Sequence, residues 1–358
     1  RAVPTLPKSG ERLRGYSEDR NREDGRMSKL TVIGAGAWGT AFSLHLARLG
    51  HEVAIWCHEP KTAENIRRGE NIDFLPAMPI PQAVRATLDL SECTHNAEAI
   101  FFAVPVQFLR SVLAKIDIAD IPQTAIPVSL AKGIEQASMK TPCQIIDEAL
   151  GAKVPAVALS GPSFAEEVAG GKPTVMVAGG RAESTRAVME IVASDSLRVY
   201  SSDDRCGIEI CSALKNVLAL AAGMCEGLKL GDNSRAALIV RGLAELHRLV
   251  TALGGRPETA FGIAGLGDLV LTSTSGQSRN FQFGKLLAEG RPAPDIIAHY
   301  RWVAEGVFTA PVALELAKKH GVELPIAEAI CAVIEGTATP ASSAHALMTR
   351  PLKPEFPR

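Results

Sequence analysis

Surplus charge is missing from this 358-residue chain: lysine plus arginine number 38 against 39 acids, a net of -1, so no basic field exists to hold nucleic acid. No Cys-x-x-Cys pair occurs among the seven cysteines (57, 93, 143, 206, 211, 225, 331), which argues against a zinc site and a disulfide framework. An odd number of thiols, mostly within apolar segments, is the pattern of a reduced, cytoplasmic protein. There is no signal-peptide h-region, and no apolar run is read as reaching the length of a membrane span. What remains is a globular composition, 46% hydrophobic and 22% charged, on a chain long enough for two domains.

Residues 1–26 are rich in Arg, Glu, Asp, Gly and Pro and have almost no apolar periodicity. They are expected to be a disordered extension, with Met27 a candidate for the natural start. From residue 30 the pattern is explicit. Leu30 to Ile33 reads as a β-branched strand, and Gly34-Ala35-Gly36-Ala37-Trp38-Gly39-Thr40 leads into a helix ending before Gly50. This is G-x-G-x-x-G in the context it requires. Gly34 permits the tight turn, Gly36 lets backbone approach a pyrophosphate, Gly39 allows close packing of helix on strand, and the helix N-terminus offers unpaired N–H groups. A second strand, Glu52 to Cys57, ends in His58 with Glu59 one residue later. An acid at the strand end normally holds the adenosine ribose, so the imidazole leaves both NADP and NAD open.

Further strands are expected at Val84 to Thr87, Ala99 to Val104, Ala125 to Ser129, Ala156 to Leu159, Thr174 to Ala178 and Leu197 to Tyr200, alternating with helices. That predicts an α/β fold with a Rossmann-like doubly wound parallel sheet, its ligands at the carboxyl ends of the strands. Two of those ends carry pointed chemistry: Lys132 just past one strand, and the Ser160-Gly161-Pro162-Ser163 turn past another. From Asp204 strand signals vanish, predicting an all-helical C-terminal domain. The expected division is 27–203 dinucleotide-binding, 204–350 substrate-binding, with 351–358 a flexible tail.

The first helix of that second domain, Asp204 to Leu228, is apolar or small on every side after Asn216, so a lysine fits it badly. Glu209, Ser212, Lys215 and Asn216 share one face as a polar stripe that needs a polar partner. Later, Ser278 is a natural N-cap, which puts Arg279 and Asn280 in the first turn of a helix. A cation there conflicts with the helix dipole unless an anion is bound, and guanidinium suits phosphate best. Gly242, inside an otherwise smooth helix, predicts a close contact within the subunit or between subunits.

Taken together, Gly34 to Ala41, Asn71-Ile72-Asp73-Phe74-Leu75-Pro76, Ala131-Lys132-Gly133, Ser160 to Ala165, Leu214-Lys215-Asn216-Val217, Gly265 to Leu269, Gln277-Ser278-Arg279-Asn280 and Val303-Ala304-Glu305-Gly306 resemble the bacterial-type NAD(P)-dependent glycerol-3-phosphate dehydrogenases. The resemblance spans Leu30 to about Leu347 and implies hydride transfer at C2 between dihydroxyacetone phosphate and sn-glycerol 3-phosphate, supplying phospholipid synthesis. It implies that Gly34, Gly36, Ala37, Trp38, Gly39, His58, Lys132, Ala165, Arg279, Val303 and Glu305 hold the cofactor. Lys132, Gly161, Ser163, Lys215, Asp268, Ser278, Arg279 and Asn280 would surround a three-carbon phosphate, with Lys215 moving the proton. Chemistry concurs: a buried lysine beside a second cation favours its neutral form, and ketone reduction needs no metal. Two rivals stand beside this reading, a related dehydrogenase of hydroxy or phosphosugar acids and a non-catalytic dinucleotide sensor. A homodimer is compatible with it.

Overall fold

The computed structural model describes residues 27–151, 154–300, 303–352 and 354–355. The expected extension over residues 1–26 lies outside the described residues, as does part of the expected tail at 351–358.

Alternation of short β-branched runs with amphipathic helices gives β1 (Lys29–Ile33), α1 (Ala37–Arg48), β2 (Glu52–Trp56), α2 (Pro60–Arg67), β3 (Val84–Thr87), α3 (Leu90–Thr94), β4 (Ala99–Phe102) and α4 (Val106–Leu113). The pattern continues with β5 (Ile126–Ser129), α5 (Pro142–Leu150), β6 (Val157–Ser160), α6 (Ala165–Ala169), β7 (Thr174–Gly179), α7 (Ala182–Val192) and β8 (Leu197–Ser202). The eight strands form one sheet in the order β3-β2-β1-β4-β5-β6-β7-β8. Strands β1 to β6 are parallel neighbours, whereas β6 and β7 pair antiparallel and β8 then runs parallel to β7. The sheet is thus mostly parallel, as the alternation predicts, with an antiparallel joint that alternation alone does not reveal. The order reverses between β1 and β4, which makes the crevice above them the switch point where ligands bind.

Helices alone follow: α8 (Arg205–Gly227), α9 (Gly231–Ala252), a π-helical turn at Ile263–Gly267, α10 (Asp268–Thr274), α11 (Arg279–Ala288), α12 (Ala293–His299), α13 (Glu305–Lys319), α14 (Pro325–Ile334) and α15 (Pro340–Met348). Helix α13 starts at Glu305 without a sequence signal, because its N-cap, Ala304, supplies no side-chain hydrogen bond.

Helix α8 is the hub. Contrary to the expectation that no apolar run reaches span length, the 23-residue α8 holds an 18-residue window with a mean hydropathy of 1.5; but 94% of that window is covered by protein. It is a core helix, packed by α9, α11 and α13. Against α11 the approach is closer than side chains permit: a Cβ on Gly223 would lie 1.9 Å from the Phe281 carbonyl oxygen, and one on Gly284 2.0 Å from that of Leu220. Gly242 of α9 faces Leu218 of α8, so its close contact is internal to the chain.

Candidate functional site

The glycine turn sits where the topology puts a ligand. A Cβ at Gly34, whose φ is +111°, would meet the Ala103 carbonyl oxygen at 2.9 Å, and one at Gly39 would lie 1.9 Å from the Gly34 oxygen. Both glycines are demanded by the protein's own backbone. Gly36 is different: a Cβ there would meet nothing within 4 Å, so the space in front of it is open. Gly36 also caps α1 without any side-chain hydrogen bond, and the first turn of that helix carries no acid. Free N–H groups, a positive helix end and room above the backbone fit a dinucleotide pyrophosphate. Ala37 and Trp38 begin α1, both half-buried, while Ala165 opens α6 and Val303 precedes α13.

At the carboxyl ends of β2 and β3 is a cavity of about 690 Å³, lined by Trp56, His58, Leu88, Ser91, Lys115 and Asp117 among others. His58 is exposed there, its ring 5.9 Å from that of Trp56.

The second half of the site converges on Asp268, which is 1% exposed at the start of α10. Its Oδ1 accepts from Lys215 Nζ at 3.1 Å and its Oδ2 from Lys132 Nζ at 2.6 Å. Lys132 also donates to the Gly161 carbonyl at 3.0 Å, and the Ser163 hydroxyl donates to the same oxygen at 2.9 Å. Burial pushes Asp268 up, but the two ammonium groups outweigh it and hold the carboxyl below its ordinary range. Lys215 goes the other way. Burial lowers it most, Lys132 and Arg279 push in the same direction, Asp268 opposes them, and the result is about 8. Thr272 completes the cage: its hydroxyl accepts from Lys215 Nζ at 2.9 Å and donates to the Asp268 main-chain oxygen at 2.5 Å. Sequence reading missed Thr272. The signal was its i+4 spacing from Asp268 on a short helix that no strong cap announced.

The polar stripe on α8 divides its partners. Asn216 accepts from Asn280 Nδ2 at 2.9 Å, and Asn280 Oδ1 accepts from the Gly306 N–H at 2.9 Å, which ties α8, α11 and α13 together. Ser212 meets the Ser160 hydroxyl at 2.6 Å. Glu209, however, faces away from the cleft and accepts from Cys143 N–H and the Thr141 hydroxyl at the start of α5. Ser278 caps α11 as expected, accepting from Phe281 N–H at 3.2 Å. Arg279 then stands in the first turn, exposed, with no ion pair among the described residues.

The two halves meet at Glu305, which is 8% exposed. Its Oε1 accepts from Val106 N–H at 3.2 Å, close behind the Ala103 that touches the glycine turn. Its Oε2 and the Thr309 hydroxyl are buried without a partner, and both border Gly133, next to Lys132. Burial raises Glu305 to about 7, with Arg279 and the Val106 N–H opposing. Two orphaned polar atoms at the seam fit a ligand that brings its own hydrogen-bonding groups.

This is the fold and site of a nicotinamide-dinucleotide oxidoreductase. Residues 29–186 match the sequence profile of the NAD-dependent glycerol-3-phosphate dehydrogenase N-terminus, and residues 204–345 that of its C-terminus. The chain belongs to the NAD-dependent glycerol-3-phosphate dehydrogenase family. It is 44% identical over 338 residues to the glycerol-3-phosphate dehydrogenase [NAD(P)+] of Acidobacterium capsulatum, covering 92% of this chain and 100% of that one. It is 44% identical over 331 residues to the same enzyme of Rhodospirillum rubrum, covering 92% and 94%. In structure it superposes on glycerol-3-phosphate dehydrogenase of Coxiella burnetii with a TM-score of 0.86 at 35% identity, over 90% of this chain and 99% of that one.

Proposed function

We propose that this cleft interconverts dihydroxyacetone phosphate and sn-glycerol 3-phosphate with NAD or NADP, Lys215 being the proton donor and acceptor. The carrying observation is an amine with 5% exposure, tuned to about 8 and clamped beside a second ammonium on one carboxylate. When bound, the nicotinamide supplies the hydride that C2 accepts. Lys215 then gives its proton to the oxygen that was the carbonyl, and Lys132 stabilises the charge developing on that oxygen. Asp268 and Thr272 fix the amine, so no reorganisation is needed as the proton moves. Arg279, Ser278 and Asn280 receive the phosphate at the positive end of α11, with Gly161 and Ser163 closing the other side.

On this reading Gly34, Gly36, Ala37, Trp38, Gly39, His58, Lys132, Ala165, Arg279, Val303 and Glu305 hold the cofactor. The sheet half (27–203) and the helical half (204–350) act as two domains, closing on it from either side. All seven cysteines are free thiols, which supports a cytoplasmic location. Gly242 is occupied by Leu218 within the chain, so its contact lends no support to a homodimer.

The deciding assay follows NADPH or NADH absorbance with dihydroxyacetone phosphate as sole acceptor. Lys215→Ala should lower turnover by a factor of about 100 to 10,000 while NADH still binds. Normal turnover by a folded Lys215→Ala protein removes the amine from the mechanism. No oxidation of either nucleotide by the wild-type protein rejects the whole reading.

A further inference from the structure

Asn71 opens the Asn71-Ile72-Asp73-Phe74-Leu75-Pro76 loop, which the catalytic reading leaves without a task. Its side chain is 1% exposed and lies behind the glycine turn. The amide Nδ2 donates to the Ala35 carbonyl oxygen at 3.0 Å and to the Thr40 hydroxyl at 2.8 Å. The Thr40 hydroxyl in turn donates to the same Ala35 oxygen at 3.3 Å. Every donor in this triangle is used. The amide oxygen has no partner, so the residue serves by donating alone.

The consequence follows from peptide geometry. In a trans peptide the C=O and N–H bonds point in opposite directions. Holding the Ala35 oxygen inward therefore turns the Gly36 N–H outward, into the open space above the turn. That N–H is one of the unpaired donors at the start of α1. The loop that carries Asn71 is itself firm: Leu75, 1% exposed, is anchored in the core, and its N–H donates to the Asn71 carbonyl at 2.8 Å.

We propose that Asn71, with Thr40, is a positioning residue for the dinucleotide pyrophosphate, acting through the Ala35–Gly36 peptide without touching the cofactor. The inference rests on the functional reading above. A flexible glycine turn presents its N–H groups in many directions, and two buried hydrogen bonds select one of them.

The test is equilibrium binding of NADH, followed by its fluorescence, alongside steady-state kinetics. Asn71→Ala should raise the Kd and the KM for NADH about tenfold, the worth of roughly two buried hydrogen bonds at a pre-organised site. At saturating NADH, kcat and the KM for dihydroxyacetone phosphate should stay within about twofold of wild type, since the proton-transfer cage is untouched. Asn71→Asp, which keeps the shape and exchanges donor for acceptor, should bind NADH no better than Asn71→Ala. Thr40→Val, a smaller change that tests the same triangle if Asn71→Ala does not fold, should weaken NADH about threefold, and Thr40→Ser should restore it. Wild-type NADH affinity in folded Asn71→Asp or Thr40→Val overturns the inference, as does a fall in kcat with Kd unchanged. A wild-type protein that binds neither NADH nor NADPH fails the functional reading instead, and one that binds NADPH alone is put through the same comparison with NADPH, so the two failures are distinguishable.

Discussion

At the scale of single residues, the chemistry depends on how one carboxylate is shared by two amines. Asp268 draws protons toward Lys215, whereas burial and the charge of Lys132 drive them away, and the balance leaves Lys215 at about 8. Reduction needs the protonated amine as donor and oxidation needs the neutral amine as acceptor. The rate of ketone reduction should therefore fall as pH rises through about 8, while glycerol 3-phosphate oxidation should rise through the same range. Asp268→Asn removes the influence that favours the charged form, so the falling limb of reduction should move to lower pH, with kcat also reduced. Rate against pH at saturating substrates checks this. A limb that stays in place, or moves upward, would show that some other group is being titrated.

At the scale of elements, the site depends on helix ends and one close crossing. Three buried glutamates each cap the start of a helix they do not belong to: Glu209 at Cys143 of α5, Glu245 at Ile326 and Ala327 of α14, and Glu305 at Val106 of α4. In each case a proline stands at or just before the first turn, and the next free N–H is satisfied from another helix. The α8–α11 crossing does the same work for the catalytic face, because it sets Asn280 against Asn216. Gly284→Ala would drive a methyl group onto the Leu220 carbonyl, so the helices must separate. We expect a loss of about 3 kcal/mol in urea unfolding and a raised KM for dihydroxyacetone phosphate, since Arg279 and Asn280 move with α11. An alanine variant as stable as wild type would show that the crossing has slack. These features also mark how far the sequence could be read. Strands, the glycine turn and Lys215 were legible because each has a local signature: period, spacing, or a charge in an apolar helix. The trans caps were not, since the partner of Glu209 lies 66 residues away in sequence and no local pattern encodes it. For the same reason Glu209 shares the Lys215 stripe by spacing and yet turns to α5, and Thr272 carries no signal beyond its spacing from Asp268.

At the scale of the whole molecule, the Glu305 carboxylate on the Val106 N–H joins the helical half to the start of α4, just past the Ala103 that borders the glycine turn, with an unpaired oxygen left over. Its folded value of about 7 lies above the ordinary 4.5, so the stability it contributes is complete below the ordinary value and lost as pH rises through about 7. Glu305→Ala should therefore lower Tm most at acid pH, and the gap from wild type should narrow above neutrality. The unpaired oxygen gives a second, separable consequence. NADH at a hundred times its Kd stabilises a protein by about 2.7 kcal/mol, and a variant with weaker affinity gains less at the same concentration. If Glu305 belongs to the cofactor's wall, Glu305→Ala should lose both the cap and most of the NADH-induced rise in Tm, as read by differential scanning fluorimetry. If it only joins the halves, the basal Tm falls while the NADH-induced rise stays whole. The first pattern is expected, because the orphaned Oε2 and Thr309 hydroxyl border Gly133 at the seam beside Lys132, where a bound group would satisfy both.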